Sequence, residues 1–182
     1  VIDIPSFSDK DYEKAKDSGA VEDYAIVDIL GYAYKSDKFK RLGSAVGRAN
    51  DKFRKISNQR LLEGRLPEAE NEIAIESEAL KKLDYRNASV GSTISLKFMV
   101  QNAQGYAQTV DKEYVVTGIL KDKKSNIGYS FFSYDEYDTS IPAIFVADNT
   151  ILESGGKAKQ IAYLEGTQKR NNTFNDYLAK NY

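Results

Sequence analysis

Hydrophobic and polar positions alternate most regularly between Val21 and Tyr34. In an extended chain Tyr24, Ile26, Leu30, Tyr32 and Tyr34 fall on one face, and Ala25, Val27, Ile29, Gly31 and Ala33 on the other, as the two-residue repeat of a strand dictates. Asp28 is the one interruption of the first face. Both faces are apolar or aromatic, which predicts a central strand covered on both sides. Strand-like Val1-Ile2-Asp3-Ile4 precedes it, followed by a helix. Ser8 suits the N-cap of that helix, Asp9 and Asp11 suit its first turn, and Gly19 suits the left-handed position after its last turn. The chain therefore opens as strand, helix, strand.

From Ser36 to Arg60 the periodicity is weak and the charge is basic: Lys38, Lys40, Arg41, Arg48, Lys52, Arg54 and Lys55. This stretch predicts an exposed connection with one short element near Phe53 and Ile56. A patch for an anionic ligand is the functional alternative, and a solvated loop is favoured over it. Strand signals then crowd the middle. Asn71 to Ile75 predicts a short strand, and Ser77 to Leu83 a short helix with Ala79, Leu80 and Leu83 on one stripe. Ile94, Leu96, Phe98 and Val100 alternate with Thr93, Ser95, Lys97 and Met99. A polar turn at Asn102-Ala103-Gln104-Gly105 leads to a return run from Tyr106 to Val110, and Tyr114 to Leu120 predicts a third strand. Farther on, Ile141 to Val146 and Gln160 to Leu164 predict strands. Phe174, Tyr177 and Leu178 have helical spacing, with Tyr182 about one turn later on the same side.

The economical assembly is an α+β fold of two lobes. An outer βαβ/ββα lobe would take residues 1–58 and 139–182, and an inserted, mainly antiparallel β lobe residues 59–138. Each would pack on its own core, and middle strands joined to terminal strands in one continuous barrel would contradict that division.

Charge and composition narrow the function. Lys and Arg total 26 against 27 Asp and Glu, a net charge of −1, so there is no global footprint for nucleic acid or for an anionic membrane surface. Histidine and cysteine are both absent, which removes the commonest general base, the thiol nucleophile and the usual zinc ligands. No apolar run is long enough to span a bilayer, and no secretory leader opens the chain. A start within strand-like residues and a last helix ending on Tyr182 read as a domain excised from a longer protein.

The remaining chemistry is sparse. Ser154-Gly155-Gly156-Lys157 spells S-x-x-K, but two central glycines disfavour the helix that would bring serine and lysine together, and the companion S-D-N and K-T-G motifs are missing. Asp135, Glu136 and Asp138 supply oxygens without the spacing of an EF-hand, so a solvated loop is the better reading. Neither a Walker A sequence nor a dinucleotide fingerprint is present. No catalytic residue, metal ligand or cofactor is expected. Tyr129, Phe131, Phe132, Tyr134 and Tyr137 crowd one segment, where they serve either as packing between lobes or as a contact surface for a partner. Tyr32 and Tyr34 are candidates for a second such patch.

One stretch points beyond composition. Leu62-Glu63-Gly64-Arg65-Leu66-Pro67, then Asn71-Glu72-Ile73-Ala74-Ile75, Ala79-Leu80, Gly91, Ile94-Ser95-Leu96 and Tyr114-Val115-Val116-Thr117-Gly118-Ile119-Leu120 resemble, in order and spacing, the MacB-type periplasmic core domain of FtsX-like ABC transporter permeases. The resemblance extends faintly to the first helix and strand and to Ile141–Val146. On their own chemistry Gly64, Arg65, Pro67, Asn71 and Glu72 read as a structural corner. Gly64 can take a left-handed turn, Pro67 fixes the bend, Arg65 can hold a carboxylate bidentately, and Asn71 and Glu72 can hold backbone groups at the entry of the next strand.

The resemblance implies a porter-like outer lobe and a sabre-like inserted lobe, set between the first two transmembrane helices of a permease on the extracytoplasmic face of the bacterial plasma membrane. Those membrane helices and a strand expected after the final helix are absent from the sequence. The implied partners are the transmembrane helices of the same permease and a cytoplasmic ATPase subunit, with an extracellular protein, peptide or lipoprotein as cargo or contact, and no nucleic acid. The two lobes would act as a lever, coupling ATP-driven motion to an external partner. A stand-alone cell-surface binding or adhesion module is the alternative, and a hydrolase with an unrecognised site is the third reading.

Overall fold

The computed structural model describes residues 9–35, 44–49, 51–122, 141–150, 155, 158–166, 176 and 180 of the 182. Three helices and eight strands are described: α1 (Asp9–Asp17), β1 (Val21–Tyr34), β2 (Ser44–Ala49), α2 (Asp51–Ile56), β3 (Leu61–Gly64), β4 (Glu72–Glu76), α3 (Ser77–Lys82), β5 (Thr93–Gln101), β6 (Ala107–Leu120), β7 (Ile144–Val146) and β8 (Lys159–Gly166). The fold is α+β, with strands predominating.

All eight strands belong to one sheet, in the order β2-β7-β4-β6-β5-β1-β8, with β3 on β6. Because β2 also pairs with β1, six of them close into a ring: β1, β2, β7, β4, β6 and β5. Pairing among the described residues runs across the expected division into lobes, 1–58 with 139–182 and 59–138. β1 pairs with β5 through Tyr32↔Met99, Ala33↔Phe98 and Tyr34↔Lys97, and β4 pairs with β7 through Ile73↔Val146 and Ile75↔Ile144. Early, middle and late strands thus hydrogen-bond to one another, and closure leaves the ring strands few free edges.

The core follows from strand alternation. One buried cluster takes residues from all six ring strands, including Leu30, Val46, Ile73, Ile75, Leu96, Phe98, Val116, Ile144 and Val146, together with Leu80 of α3. A second covers the opposite side of β1, β2, β4, β6 and β7, with Val27, Ile29, Ala45, Ala74, Leu120 and Phe145 packed around Phe53 of α2. Phe53 is fully buried; its ring centroid lies 6.0 Å from that of Phe145 and 5.7 Å, edge-on, from that of Tyr163. A third, smaller cluster seats α1 on β1 through Ala15, Ala20, Val21 and Ala162.

β1 keeps its expected bounds but not its expected faces. Its register with β2 slips between Ile29↔Gly47 and Gly31↔Val46, so Leu30 is an extra residue. Such a bulge reverses the alternation beyond it. Tyr32 therefore joins Val27 and Ile29, while Ala33 joins Leu30 in the other cluster. The same bulge accounts for Gly31: a Cβ there would fall on the main-chain carbonyl of Met99 in the neighbouring strand. Tyr32 and Tyr34, considered for a surface patch, are 1% and 2% exposed. Tyr34 hydroxyl shares a 3.0 Å hydrogen bond with Thr109 Oγ1. Both rings belong to the interior.

Two further expectations change. The basic stretch 36–60 is not a loop throughout, since Ser44–Ala49 is a ring strand paired with both β1 and β7. The predicted return run and third strand are a single strand, β6, held in register with β5 from Gln101↔Ala107 to Thr93↔Val115. The helix expected from Phe174 to Tyr182 lies outside the described residues apart from single positions.

Candidate functional site

The five aromatic residues proposed as a contact surface, Tyr129, Phe131, Phe132, Tyr134 and Tyr137, lie outside the described residues, as do Asp135, Glu136, Asp138, Ser154 and Lys157. Among the described residues, no group of three or more His, Cys, Asp or Glu is placed to hold a metal ion.

The corner residues are described in full. β3 ends at Gly64 with φ +75, a conformation that favours glycine. β3 lies against β6 with Gly64 opposite Gly118. A Cβ on Gly64 would meet the carbonyl of Thr117, and a Cβ on Gly118 would meet the carbonyl of Arg65. The two glycines therefore let the backbones cross closely, and Arg65 N–H donates to Thr117 carbonyl at 2.8 Å. From there the Arg65 guanidinium forks onto Glu72, with Nη1 to Oε2 at 2.8 Å and Nη2 to Oε1 at 2.5 Å. Glu72 Oε2 also accepts from the main-chain N–H groups of Glu68 (2.9 Å) and Ala69 (3.1 Å). These hydrogen bonds, that from Arg65 first and the main-chain ones after it, lower the Glu72 pKa from 4.5 to about 2, and the Glu72 hydrogen bond raises that of Arg65. Asn71 contributes through its backbone: its carbonyl accepts from Val115 N–H at 2.8 Å, which starts the parallel β4–β6 ladder at Glu72↔Val115. Pro67 lies at the bend, half-buried. Among the described residues the hydrogen bonds of the corner are internal to it or run to β6, so its chemistry is the fixing of a chain path.

Three of the basic residues described between Ser36 and Arg60 have acidic partners. Arg48 Nη2 lies 2.8 Å from Asp28 Oδ2, the residue opposite it in the β1–β2 register, and Nη1 donates to Thr150 carbonyl at 3.0 Å. Lys52 lies 2.7 Å from Asp23 and 4.5 Å from the Tyr24 ring centroid, a cation–π distance. Arg54 Nη1 lies 3.1 Å from Asp51. Arg48 and Lys52 thus tie the connection to β1, whereas the Arg54 pair lies within α2.

One feature has no counterpart in the sequence analysis. A cleft of about 310 Å³ opens between α2, the Leu66–Glu68 part of the corner and the end of β7, with Arg54, Gln59, Leu66, Pro67 and Phe145 among its lining. Gln59 sits between Asn58 and Arg60 in a polar run with no periodicity, and nothing in that run marks it as interior. Its burial follows from α2 stopping at Ile56 and the chain turning back at Asn58, with φ 50, so that Gln59 N–H returns to Arg54 carbonyl at 3.0 Å.

The sequence model of the MacB-like periplasmic core domain family matches residues 2–163. The chain belongs to that family. It is an extracytoplasmic domain of the kind carried by MacB/FtsX-like ABC transporter permeases, and no helix among the described residues is long and apolar enough to cross a membrane. Solved structures similar to this MacB-like domain include a domain assigned to a permease of Porphyromonas gingivalis, at 12% identity and TM-score 0.43, covering 90% of this chain and 65% of that one. The extracellular domain of the noncanonic ABC-type transporter YknZ from Gram-positive bacteria is similar at 12% identity and TM-score 0.47, over 96% of this chain and 86% of that one. The periplasmic region of MacB from Actinobacillus actinomycetemcomitans is similar at 12% and 0.44, over 96% and 72%. The chain thus spans just under two thirds of the first of these. No curated protein matches it in sequence.

Proposed function

We propose that this MacB-like domain couples ATP-driven movement of a permease's transmembrane helices to a partner or substrate outside the cell, without chemistry of its own. The observation that supports this most is ring closure, which ties strands from the first, middle and last thirds of the chain into one sheet. A body built this way resists shear between its parts, because sliding one strand breaks ladders on both sides at once. In this reading the domain moves as a unit, and the lever expected between two lobes is replaced by rotation of the whole body relative to the membrane. The partners are the transmembrane helices of the same permease, a cytoplasmic ATPase subunit, and an extracellular protein, peptide or lipoprotein.

The reading is tested in the complete permease, reconstituted with its ATPase in lipid vesicles. Deleting residues 9–166 should leave ATP hydrolysis measurable while abolishing substrate movement or partner activation. Unimpaired transport by the deleted permease would sink the proposal. Spin labels at Lys10 and Tyr106 should keep a constant separation through ATP turnover, and a shift in that distance would refute movement as one body. Flanking gene sequence encoding wall-anchor signals in place of apolar spans would favour the adhesion module. Ester, peptide or glycan turnover by the purified chain, lost in Ser154→Ala, would make it an enzyme.

A further inference from the structure

We draw no further inference here: the strongest candidate, the edge of β6 from Ala107 to Glu113 that faces away from β5, lies beyond the start of the β4 ladder at Glu72↔Val115 and has no described strand beside it, but nothing in the structure shows what covers it.

Discussion

β1 and β6 are both fourteen residues long, and they are used in opposite ways. β1 is buried almost from end to end, its last six residues without exception. It pairs with β8 and then β5 along one edge and with β2 along the other. β6 is exposed from Ala107 to Glu113, with only Val110 and Lys112 half-covered, and enters the core at Tyr114. The sequences account for the difference: VEDYAIVDILGYAY has apolar side chains on both faces, whereas AQTVDKE precedes YVVTGIL. Strand length is thus set by backbone pairing, and depth by side chains. Each strand has one glycine where another backbone comes too near for a Cβ, Gly31 at the Met99 carbonyl and Gly118 at the Arg65 carbonyl.

The largest expected effect tests the cover over β1. Phe53→Ala removes the ring shared by Phe145 and Tyr163 and should cost about 3–5 kcal/mol in denaturant unfolding; less than about 1 kcal/mol would mean that α2 does not hold β1. Next come the glycine crossings. Gly118→Ala and Gly31→Ala each set a methyl against a main-chain carbonyl that cannot rotate away, so each should cost roughly 1–3 kcal/mol. Equal costs would show that both long strands are held equally rigidly, and a negligible cost at either would show that its neighbour yields.

A smaller effect sharpens the contrast at the buried end of β6, where β4 and the corner attach. The folded pKa of Glu72 is depressed from 4.5 to about 2. Its contribution is therefore fully present above pH 4.5 and lost as pH falls toward about 2. The melting temperature should decline across that window less steeply in Glu72→Gln than in the parent, and parallel declines would mean that the Arg65 fork does not stabilise the fold. Smallest of all, Tyr106→Ser at the 72% exposed start of the β6 arm should leave stability within about 0.5 kcal/mol. A larger loss would show that the arm is packed after all.

What the sequence made legible divides along the same line. β1 was readable because fourteen residues of apolar alternation have no other use, and the corner because Gly64, Arg65, Pro67, Asn71 and Glu72 each carry a distinct local job. β2 was not, because Ser44–Ala49 is short and its Arg48 resembles the basic residues around it, although Asp28 waits opposite. β6 reads as two runs because Asp111-Lys112-Glu113 is polar, whereas pairing with Lys97, Leu96 and Ser95 carries the strand through. Gly31 was a signal that passed unread, since a glycine inside a strand marks a bulge or a close approach. Pairing across the expected lobes was not legible for a different reason: β1–β5 and β4–β7 contacts are non-local, and alternation within a strand says nothing of its neighbour. Family membership was legible from the order of motifs, and the cleft was not, because burial of Gln59 depends on where α2 stops.

The pairing of β8 with β1, outside the ring, constrains the order in which this chain can come to rest. The lower half of β1, from Val21 to Ile29, receives its partner only when Lys159–Gly166 has been made, so for most of synthesis that edge is an open template. Such late, distant pairing slows acquisition of the native state and prolongs the interval in which the segment can associate with a second nascent copy. Among the described strands, that edge of β1 is the last to be covered as the chain is made.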